Sequence, residues 1–142
     1  MPSEYEVYVG SEFMDVASIH AYLTTAYWSE GIPIEVVTKA VRNSVCCGAF
    51  FSGQQIGFAR AVTDAATFAY IADVYVLEAH RGNGLAKKLI ASLVSQKELQ
   101  GLRRMMLATR DAHSLYERYG FKSLANPDLM MENWNPKVYS DT

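Results

Sequence analysis

Cysteine is scarce in this sequence, and its position excludes two common uses of the residue. The 142 residues contain two cysteines, Cys46 and Cys47, which are adjacent in an apolar stretch. Neighbouring cysteines rarely bridge each other, and this pair lacks the spacing of metal ligands. We therefore predict two buried free thiols and no metal site.

The sequence also has no excess of basic residues and no long apolar run. Thirteen Lys and Arg residues face fifteen Asp and Glu residues, for a net charge of −2. Nucleic-acid-binding domains usually carry a basic face, and a membrane span needs about 20 apolar residues. The first ten residues also lack the basic and apolar regions of a signal peptide. These absences predict no nucleic-acid partner, no membrane partner and a cytoplasmic location.

The length and the apolar pattern predict one domain over residues 1–142. Half of the residues are hydrophobic, enough for a sizeable core in a chain of this length. Alternating and helical apolar spacings predict an α/β (α+β) fold with a mixed sheet and helices on both faces. The predicted strands are 5–9, 45–51, 56–63, 68–77, 105–109, 120–124 and 129–134, and the predicted helices are 13–28, 34–42, one from residue 85, and 112–119. Residues 135–142 are polar and predicted to fray.

A glycine-rich junction stands out between a predicted strand and a predicted helix. The sequence HRGNGLAKKLI, residues 80–90, is expected to leave backbone N–H groups unpaired at a helix N-terminus. Such groups can bind a phosphate. A P-loop would need Ser or Thr after its lysine, and a dinucleotide fingerprint would need a small residue where Lys87 lies. Neither pattern fits, and an ordinary glycine-containing turn is the structural alternative.

Two motifs in register resemble those of the GNAT superfamily of N-acyltransferases. Arg81, Gly84 and Ala86 match its acyl-coenzyme A loop, and LYERYGF, residues 115–121, resembles its second element, a helix with a tyrosine that ends at Gly-Phe. The order of predicted elements also follows the family. The resemblance implies a GNAT-like, mostly antiparallel sheet flanked by helices and an acetyl-CoA-dependent N-acetyltransferase.

The resemblance also implies where acetyl-CoA would bind. The loop amides would wrap the pyrophosphate, and the preceding strand would pair with the pantetheine arm as if with an added strand. Many members place an asparagine where this chain has Thr109. The threonine hydroxyl can still donate a hydrogen bond, but the asparagine contact does not carry over to this chain. The implied cofactor-binding residues are Val74, Tyr75, Val76, Arg81, Gly82, Asn83, Gly84, Leu85, Ala86 and Thr109.

In the family an amine attacks the thioester directly, which requires a polarised carbonyl and a proton donor for the thiolate. A backbone N–H near Val74 is the implied polarising donor. Family spacing places the functional tyrosine four residues before the glycine, which selects Tyr116 over Tyr119 as the acid. The alternative is that Tyr116 is only a packed aromatic side chain.

The sequence leaves the general base open. Asp73 is a carboxylate within an apolar strand, where a charge must be paired or used. Strict alternation turns it away from Tyr70 and Ala72, which by resemblance line the acceptor pocket with Trp28, unless a bulge re-aims it. We therefore weigh Asp73 as a base, a substrate anchor or a structural residue. Glu30 is a second candidate base, and water is a third route.

The acceptor implied by the resemblance is a primary amine of a small molecule. Two alternatives remain at this point: a non-catalytic acyl-CoA-binding module, and a protein N-acetyltransferase. The resemblance also leaves a homodimer open, because many members of the family dimerise.

Overall fold

A computed structural model of the chain describes residues 4–140. Across these residues the sheet has five strands in chain order, and the first four pair antiparallel. The fifth strand runs parallel to the fourth. The strands are β1 (Tyr5–Val9), β2 (Val45–Phe51), β3 (Gln54–Thr63), β4 (Phe68–Val76) and β5 (Arg104–Leu107), and the helices are α1 (Val16–Leu23), α2 (Ile34–Arg42), α3 (Leu85–Val94) and α4 (His113–Glu117).

The two faces of the sheet bury separate apolar clusters, because neighbouring strand residues point to opposite sides. On one face α1 and α2 pack on residues that include Phe58 and Tyr75. On the other face α3 packs on a surface of small residues, among them Ala59 and Ala61, which let the helix lie close to the sheet. The predicted mixed sheet with helices on both faces is confirmed.

A bulge bends β4 in the middle of the molecule. Phe58 pairs with Tyr75 and Arg60 with Ala72, so Ala59 faces two residues of β4 rather than one. Asp73 has a positive φ of 55°, the conformation of an extra residue in a bulged strand. On the other edge, the parallel pairing with β5 ends at Ile71 and Leu107. Beyond that pair β4 and β5 diverge.

The predicted strands 120–124 and 129–134 do not form, so this prediction is wrong. Pro127–Leu129 is a 3-10 turn, in which Leu129 N–H donates to Asn126 O and Met130 N–H to Pro127 O. These local bonds use amides that a hairpin partner strand would need. The Asn-Pro-Asp sequence favours such a turn because proline presets its own φ and has no N–H for a ladder.

Other boundaries also differ from the prediction: β3, β4, β5 and α4 by one or two residues at an end, and the first helix by more. The helix predicted over 13–28 is formed only as α1, because Asp15 caps its start by accepting from Ser18 N–H, and Ser29 Oγ donates to Leu23 O at its end. Residues 135–142 were predicted to fray, yet Tyr139 is half-buried against the α1–α2 core. Residues 141 and 142 lie outside the described residues.

The two cysteines are free and buried, as predicted. Burial raises the pKa of both thiols to about 12, and Cys47 Sγ donates to Leu89 O at 3.3 Å. Within residues 4–140 no helix is long and apolar enough to cross a membrane. The same residues hold no group of three or more His, Cys, Asp or Glu side chains able to bind a metal ion.

Candidate active site

A cleft of about 1260 Å³ opens where β4 and β5 diverge. One wall is β4 from Tyr70 to Val76, and the opposite wall is the segment from Leu107 to Ala112 together with Tyr116. Because β4 has no strand partner on this side after Ile71, its edge can pair with an extended ligand. Three of the predicted cofactor-binding residues, Val74, Tyr75 and Val76, line this wall.

The glycine-rich loop borders the cleft, which is lined by Arg81 and Ala86 on either side of residues 82–85. Gly82 and Gly84 have φ values of 84° and 72°, a region that glycine occupies without strain. The five backbone N–H groups from Gly82 to Ala86 make no hydrogen bond to any described residue. Space is open where a Cβ would lie on either glycine. Free amides at the start of α3, with the helix dipole behind them, are suited to bind an anion.

The side chains of Arg81, Asn83 and Leu85 make contacts within the protein that hold the loop in place. Arg81 Nε donates to Val76 O at 2.9 Å, which ties the loop to the end of β4. Asn83 Nδ2 donates to His80 O at 3.0 Å. The Leu85 side chain is buried in the core, so only its backbone amide could serve a ligand. The predicted phosphate-binding residues therefore lie together, with backbone groups as their free donors.

The two tyrosines of the α4 region have different surroundings. Tyr116 is 8% exposed, and burial raises the pKa of its hydroxyl above the usual value. That hydroxyl makes no hydrogen bond to a described residue, and the Tyr116 side chain lines the cleft. Tyr119 Oη donates to Lys87 O at 3.0 Å and so fastens α4 to α3. The Tyr116 hydroxyl is therefore free to act on a ligand, whereas the Tyr119 hydroxyl is used in a structural hydrogen bond.

Asp73 lies at the other end of the cleft and is tightly partnered. Its Oδ1 accepts from Trp28 Nε1 at 2.8 Å, and its Oδ2 accepts from Arg60 Nε at 2.7 Å. Arg60 Nη1 in turn donates to Ser44 Oγ at 3.0 Å. The side chains of Arg60 and Asp73 are only 18% and 11% exposed, so this is a largely buried ion pair. Asp73 lines the cleft together with Tyr70 and Ala72, and its positive φ lies at the bulge of β4.

Comparison with known proteins agrees with this geometry. Residues 11–121 match the model of the Acetyltransferase (GNAT) family. The chain belongs to that family. A crystal structure of a GNAT-family protein from Xanthomonas campestris pv. campestris, xcc2953, is 43% identical, with a TM-score of 0.93 over 99% of each chain.

Other relatives extend the comparison. Protein FG08082 of Gibberella zeae, which carries an acetyltransferase name, is 30% identical over 89% of this chain and 84% of its own. A Clostridium acetobutylicum structure described as an acetyltransferase with acetyl-CoA shares the fold, with a TM-score of 0.67 and 18% identity over 92% of this chain and 96% of its own. The fold prediction, including its GNAT resemblance, is therefore confirmed.

Aromatic side chains line the part of this GNAT cleft that lies beyond Asp73. Trp28 and Tyr70, both predicted for the acceptor pocket, are 42% and 38% exposed, and Ala72 lies with them. The Arg110 guanidinium stacks 3.8 Å from the centre of the Tyr27 ring. Glu30 is exposed and is not among the described residues that line the cleft.

Thr109 begins the turn into α4 on the opposite wall. Its Oγ1 accepts from Ala112 N–H at 3.1 Å, so the hydroxyl proton remains available to donate into the cleft. The position therefore keeps one hydrogen-bond donor on this wall of the cleft.

Sequence reasoning missed Arg60 and Tyr139. The signal for Arg60 was present, because it is a lone charge in the apolar run IGFARAV and such a charge needs a partner on a neighbouring strand. Tyr139 lines the cleft from the far end of the chain, and no spacing rule connects it with the other residues of the site.

We expect Asp73→Asn to destabilise the fold, because it removes the charge that neutralises the largely buried Arg60. Asparagine tolerates a positive φ, so the bulge itself is kept. The expected loss is about 1.5–3 kcal/mol in the free energy of unfolding, the range for hydrogen bonds to charged groups. Denaturant unfolding measures it, with the exposed Asp111→Asn as the matched control. Equal stability of the two variants would show that the ion pair contributes nothing.

Proposed function

We propose that this GNAT protein is a single-domain N-acetyltransferase, which moves an acetyl group from acetyl-CoA directly to a primary amine of a small molecule. The observation that carries the proposal is the arrangement around one cleft. The glycine-rich loop borders the cleft through Arg81 and Ala86, and an unpaired strand edge runs along it. Across from that edge lies Tyr116, whose hydroxyl bonds to no described residue.

The described residues fit coenzyme A. The pyrophosphate would lie against the amides of Gly82–Ala86, where both glycines leave open space. The pantetheine arm has two amides, and the free edge of β4 at Val74–Val76 can pair with them in place of a strand. The Clostridium structure holds acetyl-CoA in the same fold. When bound, acetyl-CoA supplies an acyl group activated as a thioester.

The bend in β4 supports a role for Val74 in polarising the acyl carbonyl. Val74 directly follows the bulged Asp73 and lines the cleft. A backbone N–H there would donate to the carbonyl oxygen as negative charge develops on it. Removal of one such donor typically costs an enzyme about 10²–10³ in rate.

Tyr116 is the proposed general acid. Because burial raises the pKa of its hydroxyl, the group stays protonated at neutral pH and can donate. Its proton would pass to the departing sulfur as the bond between sulfur and the acyl carbon breaks. The same unbonded hydroxyl supports an enzyme over a non-catalytic acyl-CoA-binding module, which needs no donor at this place.

The proton lost by the amine is proposed to pass to water. Both oxygens of Asp73 already accept hydrogen bonds, from Trp28 and Arg60, which supports an anchoring role in preference to that of a base. Asp73 would then hold the Trp28 ring in the acceptor pocket beside Tyr70 and Ala72. Glu30 could contribute only through water, because its exposed side chain lies outside the cleft lining.

Gly84→Glu should abolish acetyl-CoA binding, because it places a carboxylate where the pyrophosphate would lie and strains a residue with φ of 72°. Gly101→Glu is the matched control, since Gly101 also has φ of 72° and open space around it but lies away from the loop. Titration calorimetry should show binding to the control and none to Gly84→Glu. Wild-type affinity for acetyl-CoA in a folded Gly84→Glu variant would contradict the proposal that this loop binds the pyrophosphate.

Tyr116→Phe should lower turnover by about 10²-fold or more, the usual size of a general-acid contribution. Acetyl-CoA affinity should barely change, because the ring remains in place. Tyr119→Phe loses only its bond to Lys87 O and should keep a near-native rate. Release of free thiol from acetyl-CoA, followed with a panel of amines, measures both variants. Equal, near-native rates would make Tyr116 a packing residue and water the source of the proton, whereas no thiol release from the wild type with any amine would favour the binding module.

The pH dependence of kcat/KM should rise as the acceptor amine loses its proton and should show no descending limb below about pH 10. Tyr116 is active as an acid in its protonated form, which exists below its pKa. Because burial raises that pKa above the usual value of about 10, the active form persists through the alkaline range. A descending limb centred below pH 9 would assign the acid to another group.

A further inference from the structure

One arginine of the cleft lining has hydrogen-bond donors that the protein itself does not use. The Arg110 guanidinium carbon lies over the Tyr27 ring, 3.8 Å from its centre, which is within the range of a cation–π contact. Arg110 comes from the segment after β5 and Tyr27 from the segment after α1, and both residues line the cleft. The guanidinium donates no hydrogen bond and forms no ion pair to a described residue. A guanidinium placed over an aromatic face keeps its N–H donors at its edge, where they can bind a planar group.

The ring beneath Arg110 is itself held by its neighbours. The Tyr27 and Trp28 rings meet edge to face, with their centres 5.1 Å apart. Trp28 Nε1 donates to Asp73 Oδ1 at 2.8 Å, which ties this pair of rings to the bulge of β4. The position of Arg110 is therefore set before a ligand arrives, and less conformational freedom is lost when one binds.

The other cationic side chains of the cleft lining already have partners. Arg60 forms an ion pair with Asp73 at 2.7 Å, and Arg81 Nε donates to Val76 O at 2.9 Å. No lysine or histidine of residues 4–140 lines the cleft. Arg110 is therefore the one cation of the described lining that has no hydrogen-bond or ion-pair partner. A negatively charged group on a ligand would bind best beside it.

A neighbouring acid limits the charge that this group can carry. Asp111 also lines the cleft, is exposed and forms no ion pair with a described residue. A carboxylate has a single negative charge and two oxygens in one plane, which match the fork of one arginine. A phosphate dianion would meet one positive charge at Arg110 and one negative charge at Asp111. The two side chains together favour a carboxylate over a phosphate.

We propose that Arg110 binds a carboxylate of the acceptor, so that the acceptor is an amine of the amino-acid class; this rests on the N-acetyltransferase activity proposed above. The carbon body of the acceptor would lie against the exposed rings of Trp28 and Tyr70, with its amine toward the gap between Val74 and Tyr116. There the amine nitrogen bonds to the acyl carbon, the sulfur leaves with its electron pair and takes a proton, and the amine proton passes to water. Arg110 takes no part in this step and determines only which acceptor binds.

Acetylation kinetics with matched acceptors, at saturating acetyl-CoA, test the proposal. Each of β-alanine, γ-aminobutyrate and L-phenylalanine is compared with its carboxamide, which keeps the size and removes the negative charge. In the wild type, at least one of these carboxylates should have a lower KM than its carboxamide. Arg110→Gln should raise that KM by about tenfold or more, because it removes hydrogen bonds to a charged group, and should leave kcat nearly unchanged. The KM of the carboxamide should not change. Because each pair is measured in both proteins, the difference in amine pKa within the pair cancels.

Arg103→Gln is the matched control, because Arg103 is also an exposed arginine but does not line the cleft. This variant should keep the KM values of both acceptors. If Arg110 served only to hold the loop through Tyr27, Arg110→Gln would raise the KM of the carboxylate and of the carboxamide equally. That result would overturn the proposal, and so would a dependence on Arg110 that is confined to aminoalkyl phosphates.

The same assay separates this inference from the function on which it rests. If the wild type releases no thiol with any amine, the N-acetyltransferase proposal fails and the carboxylate site fails with it. If the wild type acetylates amines but Arg110→Gln does not change the preference between carboxylate and carboxamide, only the carboxylate site is overturned.

Discussion

The bend of β4 at Asp73 is the constraint on which the site depends. An extra residue in β4 shifts the pairing of this strand with β3. The pairing of β4 with β5 ends at Ile71, two residues before Asp73. The bent half keeps its bonds to β3 and turns its other edge toward a cleft. The ion pair of Asp73 with Arg60, together with the Trp28 bond, holds this conformation from the α1–α2 side. A strained backbone position is thus stabilised by charges that are largely buried.

The remaining parts of the site follow from that bend. If β4 were straight, it would stay hydrogen-bonded to β5, and a ligand could not reach the strand edge at Val74–Val76. The bent strand leads into the Gly82–Ala86 loop, and Arg81 fastens this loop to the strand end. Across the gap, α4 presents Tyr116, and its position is maintained by the Tyr119 bond to α3. Backbone amides, a strand edge and one hydroxyl therefore converge although they come from distant parts of the chain.

Much of this arrangement could be predicted from the sequence, because local patterns determine it. The spacings of apolar residues predict β1, β2 and α2 to the residue, and the loop and tyrosine motifs predict which elements meet. The partner of Asp73 could not be predicted as readily, since the bulge that joins it to Arg60 depends on the register of two strands. The last two predicted strands did not form because the turn at Pro127 uses the amides of Leu129 and Met130 in local bonds, which apolar spacing alone does not record. Tyr139 returns to the cleft through a contact that no local pattern records.

Amide hydrogen exchange with and without coenzyme A tests the central claim most directly, because it observes the backbone groups themselves. If the bent edge of β4 and the glycine loop hold the ligand, exchange should slow at Gly82–Ala86 and at Val74–Val76 together. Amides in α2, on the opposite face of the sheet from α3, should be unchanged and serve as the internal control. Protection of the loop without the strand edge, or of neither, would contradict the account.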